Sequence, residues 1–307
     1  MKQYKLGFYG TGSIANSVLP AIQKCSDRIL LYGCASRTYS RAKEFADKHG
    51  IMCCFENYSE LVSCDEIDVI YVSTPTKFHY EAVKQCLEHG KHVICEKPLT
   101  DSFEKAKELF EMAKEKKLFL MDALWSMFFP ITEEYKNALK QIGKIKSISA
   151  NLGYPSINNS SFILRDFEIY PVIYTLLGNS ELKVRNIRAK IEKAGETETK
   201  SLAKYRLGDI KCKIKSSMLH RTTYVYKAVG TKGCVFSRKY WFGYPVLVWR
   251  YPFGFKVIKR DMSLGYEFEF KELIQCLDNG LMESPKFPHK ATLKSLWIQD
   301  KFRCKII

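Results

Sequence analysis

Along this 307-residue chain the apolar positions follow two textures, and the change comes near residue 122. In the first stretch, short apolar runs take turns with segments whose apolar residues recur at helical spacing. The runs fall at 4–9, 29–35, 51–53, 68–72, 91–94 and 118–121, and the helical segments at 13–24, 39–48, 58–63, 78–89 and 102–116. Such strict alternation predicts a doubly wound parallel sheet covered by helices on both faces. Beyond 123 the spacing predicts helices near 131–141 and 167–177, then several short strands rich in Tyr, Lys, Val and Ile, turning at Gly195, Gly208 and Gly230. Helices near 265–279 and 290–303 close the chain. The expectation is α/β in class, with one domain over 1–122 and a second, α+β domain with a mostly antiparallel sheet over 123–307.

Charge follows the same division. Residues 1–122 hold 17 basic and 17 acidic side chains, whereas 183–260 hold 20 basic and 4 acidic, a surplus equal to the net +16 of the whole chain. Such a surplus raises nucleic acid or an acidic partner as candidates. In Ile210-Lys211-Cys212-Lys213-Ile214-Lys215, however, Lys alternates with apolar residues, which puts the lysines on one sheet face and the apolar side chains on the other. A solvated face is the plainer expectation, and it argues against nucleic acid. Three lysines along one strand also resist burial in a homodimer unless counter-charges meet them.

Eleven cysteines occur without a C-x-x-C or His/Cys ligand spacing, a pattern of reduced thiols in a cytoplasm rather than disulfides or a metal site. The chain opens MKQYKLGFYG, so a strand begins almost at once and no signal peptide fits; no apolar run reaches membrane-spanning length.

Candidate chemistry begins at the first strand–helix turn, Gly10-Thr11-Gly12-Ser13-Ile14-Ala15, a G-x-G-x-x-A. Gly10 allows the tight turn, Gly12 lets backbone approach a pyrophosphate, and Ala15 lets the helix sit close on the strand. The helix N-terminus, over Thr11, Ser13 and Ile14, offers N–H groups to phosphate. After the second strand stands Ser36-Arg37-Thr38, where an NAD site carries an acid for the ribose hydroxyls. With no carboxylate to repel a 2′-phosphate, Arg37 can pair with it and the flanking hydroxyls can donate, which favours NADP. The alternative is a solvated Arg at a strand end. Thr74-Pro75 and Glu96-Lys97-Pro98 follow two further buried strands, at the carboxyl ends where such sheets bind ligands.

Over nearly its whole length the chain resembles the glucose–fructose oxidoreductase/inositol 2-dehydrogenase family. The matching stretches include "YGTGSIA", "ASR", "VSTPTKFHYEAVKQCLEHGKHVICEKPLT", "LFLMDALWSMFFP", "DFEIYPVIYTLLG" and "LDNGLMESPKFP". The pattern is closest to the dimeric dihydrodiol dehydrogenases and NADP-linked xylose dehydrogenases within that family. The resemblance implies a Rossmann domain, a second domain with an open sheet, and hydride transfer at a carbinol carbon of a sugar or cyclic vicinal diol. It also places Lys97, Asp166 and Tyr170 on catalytic positions, with Tyr170 as acid/base, and puts His79 and Trp125 beside nicotinamide and substrate.

Those assignments make chemical sense. A tyrosine hydroxyl is too weak an acid to serve as base at neutral pH, and a neighbouring Lys⁺ lowers its pKa. Asp166 lies four residues before Tyr170, hence on the same helix face. Local readings remain beside these: Lys97 as a surface charge, Asp166 as a helix cap, Tyr170 and Trp125 as core rings, His79 as structural. Three features depart from the family pattern: "NNSSFILRD" replaces a glycine-rich run, Met127 stands where "WSRFFP" would have Arg, and Glu168 stands where the pattern has Gly, with a carboxylate that can crowd a ligand. An NADP-binding sensor that holds a partner through its basic second domain is therefore the alternative to an enzyme.

Overall fold

The computed structural model describes residues 2–158, 162–223, 225–237, 246–250, 254–259 and 265–304. By contacts the chain divides into two compact units, Met1–Phe128 with Leu264–Thr292, and Phe129–Ser263 with Leu293–Ile307.

The first unit is built on six short strands: β1 (Tyr4–Tyr9), β2 (Ile29–Ala35), β3 (Cys53–Cys54), β4 (Val69–Val72), β5 (His92–Glu96) and β6 (Leu120–Ala123). They pair in the order β3-β2-β1-β4-β5-β6, every pair parallel. Helices α1 (Ser13–Gln23), α2 (Tyr39–His49), α3 (Tyr58–Ser63), α4 (His79–Glu88) and α5 (Phe103–Glu115) supply the crossovers. Burial explains the near-continuous apolar strands: β4 is buried at all four positions, as a parallel strand covered on both faces must be. The connection reverses between β1 and β4, opening a crevice beyond their carboxyl ends.

The second unit holds β7 (Ile145–Gly153), β8 (Val184–Ala194), β9 (Thr197–Leu207), β10 (Ile210–Ser217), β11 (Tyr226–Gly230), β12 (Gly233–Ser237), β13 (Val246–Arg250) and β14 (Gly254–Ile258). Their order is β14-β13-β12-β11-β7-β10-β9-β8, antiparallel except where β10 runs parallel to β7. The expected mostly antiparallel sheet is thus present. Helices α6 (Pro130–Gln141) and α7 (Arg165–Leu176) carry Tyr135 and Tyr174, whose rings meet Tyr226 of β11 edge-on at 5.4–5.9 Å. All three rings are fully buried and form the aromatic centre of this core.

Period-two alternation in β10 survives folding: Cys212 and Ile214 are buried while Lys211, Lys213 and Lys215 are exposed. In register, Lys213 stands opposite Lys204, and Lys204 opposite Arg188. At the other end of the sheet the exposed residues turn apolar, with Trp249 47% and Phe255 73% exposed as register partners.

Helix α8 (Glu267–Asp278) and the segment up to Thr292 differ from expectation, for they belong to the first unit rather than to a second domain running from 123 to 307. Packing gives the reason. The Phe270 ring of α8 lies 5.8 Å from that of Tyr71 on β4. At the far end of the helix Asp278 accepts from Arg28 at 2.6 Å and from the Tyr4 hydroxyl at 3.0 Å. The last helix, α9 (His289–Cys304), passes from the first unit into the second at Leu293. Among the described residues no helix is long and apolar enough to cross a membrane.

Candidate active site

The glycine turn closes β1 as the pattern requires. Gly10 has φ +104°, and an added Cβ there would press on Thr74 and Ser73 at 3.2–3.3 Å. Gly10 N–H bonds to Ala35 O, and the Ser73 hydroxyl donates to Gly10 O at 2.8 Å, so three strand ends are stitched together. At Gly12 the surroundings are open: a Cβ would meet nothing nearer than Ser73 O at 4.0 Å. Gly12 caps α1 without a side-chain bond, and the first turn, which includes Ser13 and Ile14, holds no acid. The N–H groups and helix dipole are therefore left to an anion. Ala15 is fully buried against the sheet.

Beyond β2, Ser36 is buried and accepts from the Thr11 hydroxyl at 3.0 Å, while Arg37 and Thr38 are exposed. A residue that sequence reasoning missed joins them. Burial pushes the Tyr58 phenol up and the charges of Arg37 and Arg41 draw it back, and its ring stacks on Tyr9 at 3.9 Å. Among the described residues neither Arg is held in a salt bridge. The signal was present as R-T-x-S-R, with a second Arg in the first turn of α2.

Past β4, Thr74 and Pro75 enter a short 3-10 turn, and the Thr74 hydroxyl is buried with no hydrogen-bond partner. His79 opens α4 almost fully buried, its ring nitrogens 2.9 Å from Pro98 O and 2.6 Å from Thr74 O. It ties the loop after β4 to the loop after β5. Glu96, the last residue of β5, is buried and accepts the Tyr71 hydroxyl at 2.5 Å, and Lys97 follows it, half-buried. Trp125 packs tilted on Tyr266 at 5.3 Å, ahead of α8.

Beneath Lys97 lies a feature no motif announced: three buried carboxyls, Glu96, Asp122 of β6 and Glu269 of α8. Burial pushes Asp122 up to about 7, although the Thr292 hydroxyl donates to it at 3.1 Å; Glu96 raises it further and Lys97 pulls it back. Glu269 is 1% exposed and neither of its oxygens has a hydrogen-bond partner. Burial, followed by repulsion from Glu96 and Asp122, lifts it well above the usual carboxylate range.

In the second unit, α7 carries Asp166 in its first turn and Tyr170 one turn later, both buried. Asp166 Oδ2 accepts the Ile163 N–H at 2.6 Å, which ties the chain ahead of α7 to its first turn, while the cap residue itself, Leu164, makes no side-chain bond. The worrying carboxylate, Glu168, is fully buried and takes a hydrogen bond from Arg303 Nη1 of α9 at 2.9 Å. It is absorbed by an ion pair of its own unit. Of the departure just before α7, residues 159–161 lie outside the described residues.

An all-parallel sheet in this strand order, with a φ-positive glycine at the reversal and an uncapped helix end, defines a dinucleotide-binding oxidoreductase fold. The comparisons with known proteins give the family. The GFO/IDH/MocA model, an oxidoreductase family with an NAD-binding Rossmann fold, matches residues 4–123. The trans-1,2-dihydrobenzene-1,2-diol dehydrogenase of Xenopus laevis is 31% identical, over 92% of this chain and 91% of its own. This chain belongs to the GFO/IDH/MocA family and is an NAD(P)-dependent oxidoreductase. A 3-ketoreductase from Actinomadura kijaniata, solved with NADP and TDP-benzene, has the same fold at TM-score 0.88 and 23% identity, covering 99% of this chain and 98% of its own. So does a levoglucosan dehydrogenase solved with NADH and levoglucosan, at TM-score 0.87 and 16% identity, with 99% and 97% covered. The glycine cradle, the open space at Gly12 and the unpartnered Thr74 hydroxyl fit a nicotinamide dinucleotide.

Proposed function

We propose that this oxidoreductase uses NADP and moves a hydride between its nicotinamide and a carbinol carbon of a sugar or a cyclic vicinal diol. The observation that carries the cofactor choice is the end of β2, where Ser36, Arg37 and Thr38, reinforced by Arg41, present hydroxyls and two cations and no carboxylate. Solved proteins of this fold hold NADP or NADH, so the choice rests on such local residues. Gly10, Thr11, Gly12, Ser13 and Ile14 would receive the pyrophosphate, and Thr74, Pro75, Glu96 and Lys97 would border the nicotinamide.

When bound, the nicotinamide would supply the hydride acceptor, and Tyr170, as its phenolate, would take the proton of the alcohol. Lys97 contributes positive charge where the alkoxide develops, Asp166 orients the start of α7, and Trp125 offers an apolar wall to the substrate. The naming of a related enzyme for a dihydrobenzenediol supports a diol or sugar as the substrate class.

By calorimetry NADPH should bind at least tenfold more tightly than NADH, about 1.4 kcal/mol, and Arg37→Asp should erase or reverse the preference; equal affinities would reject NADP. Scanning aldoses and cyclic diols for NADPH formation identifies the substrate. On the best one, Tyr170→Phe should lose about 10²–10⁴-fold in turnover, the usual worth of a positioned acid/base, with NADPH affinity unchanged. Full turnover in that variant would move the proton role elsewhere.

All eleven thiols are free, which supports a reducing compartment such as the cytoplasm. A homodimer is the assembly we read, and if it uses the Lys-rich sheet face, light scattering should find it strengthened by salt that screens the opposed cations.

A further inference from the structure

Helix α7 is buried at every one of its 12 positions. An amphipathic helix is held in rotation by its one apolar face, but a helix buried all round gains little from one roll over another. Pro171 weakens its internal ladder as well, since the ring nitrogen has no hydrogen for the Phe167 carbonyl one turn back. Something directional must set where its first turn stands.

Two ion pairs of opposite polarity grip that turn. Arg165 Nη2 lies 2.7 Å from Asp300 Oδ1, and Glu168 Oε2 accepts from Arg303 Nη1 at 2.9 Å. The partners are three residues apart on each helix, so α7 presents plus then minus and α9 minus then plus. Sliding α7 by three residues, nearly one turn, would set Glu168 against Asp300 or Arg165 against Arg303, and a smaller slip or roll would break both pairs. Arg303 is itself fixed, donating to the Gln299 carbonyl at 2.9 Å and pairing with Glu198 of β9. Burial alone would lower the Arg303 pKa, but Glu168 and Glu198 outweigh it and hold the guanidinium charged. A buried ion pair is a poor source of net stability compared with apolar packing, whereas it is strict about geometry.

We infer that Glu168 and Arg303, with Arg165 and Asp300, are positioning residues that set the rotation and height of α7, and through it the placement of Tyr170 and Asp166. The inference rests on the reading of Tyr170 as the acid/base. Glu168, a departure from the family pattern, then has its complement in this chain's own C-terminal helix.

The test combines amide hydrogen exchange with steady-state kinetics on the full chain, for Arg303→Gln, Arg303→Lys and Tyr170→Phe. In Arg303→Gln the amides of residues 167–170 should exchange at least tenfold faster. Turnover should fall tenfold or more while the NADPH dissociation constant stays within twofold, and the pH profile of turnover should shift. Arg303→Lys should recover part of each change. If Arg303→Gln does not fold, Asp300→Asn breaks the outer pair and is read in the same way. Exchange and turnover both within twofold of wild type would overturn the inference. So would faster exchange with unchanged turnover and pH profile while Tyr170→Phe is inactive, for the grip would then be structural only. Full turnover in Tyr170→Phe would instead reject the acid/base reading, and the exchange data would show separately whether the grip exists.

Discussion

Two groups of buried carboxyls, one in each unit, answer the loss of water in opposite ways. Under the Glu96–Lys97 turn of the first unit, Asp122 and Glu269 lie in the field of Glu96, and burial with repulsion among the carboxyls pushes protons onto Asp122 and Glu269. Around α7 in the second unit, Glu168 is at least as deeply buried, yet it meets a guanidinium held in place by two other acceptors. A carboxylate removed from water must either give up its charge or find a partner. The first solution leaves a proton-holding patch beneath the residue proposed to face nicotinamide. The second turns charge into geometry, because a pair tolerates little displacement.

The largest difference should appear when one group is removed from each region. Arg303→Gln strands a buried negative charge and should cost about 3–5 kcal/mol of stability, as breaking buried pairs does. Glu269→Gln removes a carboxyl whose charge burial opposes and whose oxygens have no hydrogen-bond partner, so denaturant titration at pH 7 should find a far smaller loss, or none. Equal losses from the two substitutions would erase the distinction drawn between the regions.

A somewhat smaller effect should come from pH. Because Asp122 has a raised pKa in the folded protein, the native state holds a proton that the unfolded chain has lost. Its contribution is complete below the unfolded carboxylate value and disappears as pH rises to about 7. The slope from this one group should approach about 1.4 kcal/mol per pH unit between roughly pH 4.5 and 6.5. Glu269 carries the same sign. Melting measured across that range should show stability falling, and Asp122→Asn should flatten the curve. A wild-type profile that rises with pH would mean that Asp122 and Glu269 keep their charges after all.

Much of the first unit was legible in the chain. Its strands and helices fall within a few residues of the apolar runs and helical spacings, because burial on both faces of a parallel sheet leaves a local, repeating signature. The glycine turn was legible for a similar reason: φ +104° at Gly10 and the close approach of Thr74 are demands that only glycine meets. Arg41 was missed although it lies four residues from Arg37, since nothing in the spacing says that the charges of both act on Tyr58. His79 stood in a recognisable motif, but its two carbonyl partners, Thr74 and Pro98, became visible only when the loops were brought together.

By itself, then, the sequence determined the parallel sheet, the nucleotide cradle, the alternating Lys face of β10 and the position of Tyr170 one turn after Asp166. Each is a property of neighbours along the chain, where strand and helix periods dictate which side chains share a face. Tertiary structure alone decided that α8 joins the first unit, that Glu269 comes to rest with Glu96 and Asp122, and that Glu168 finds Arg303 across 135 residues. Periodicity reports whether a side chain is buried. What it is buried against depends on how separate elements dock, and for a carboxyl that partner decides whether it keeps its charge.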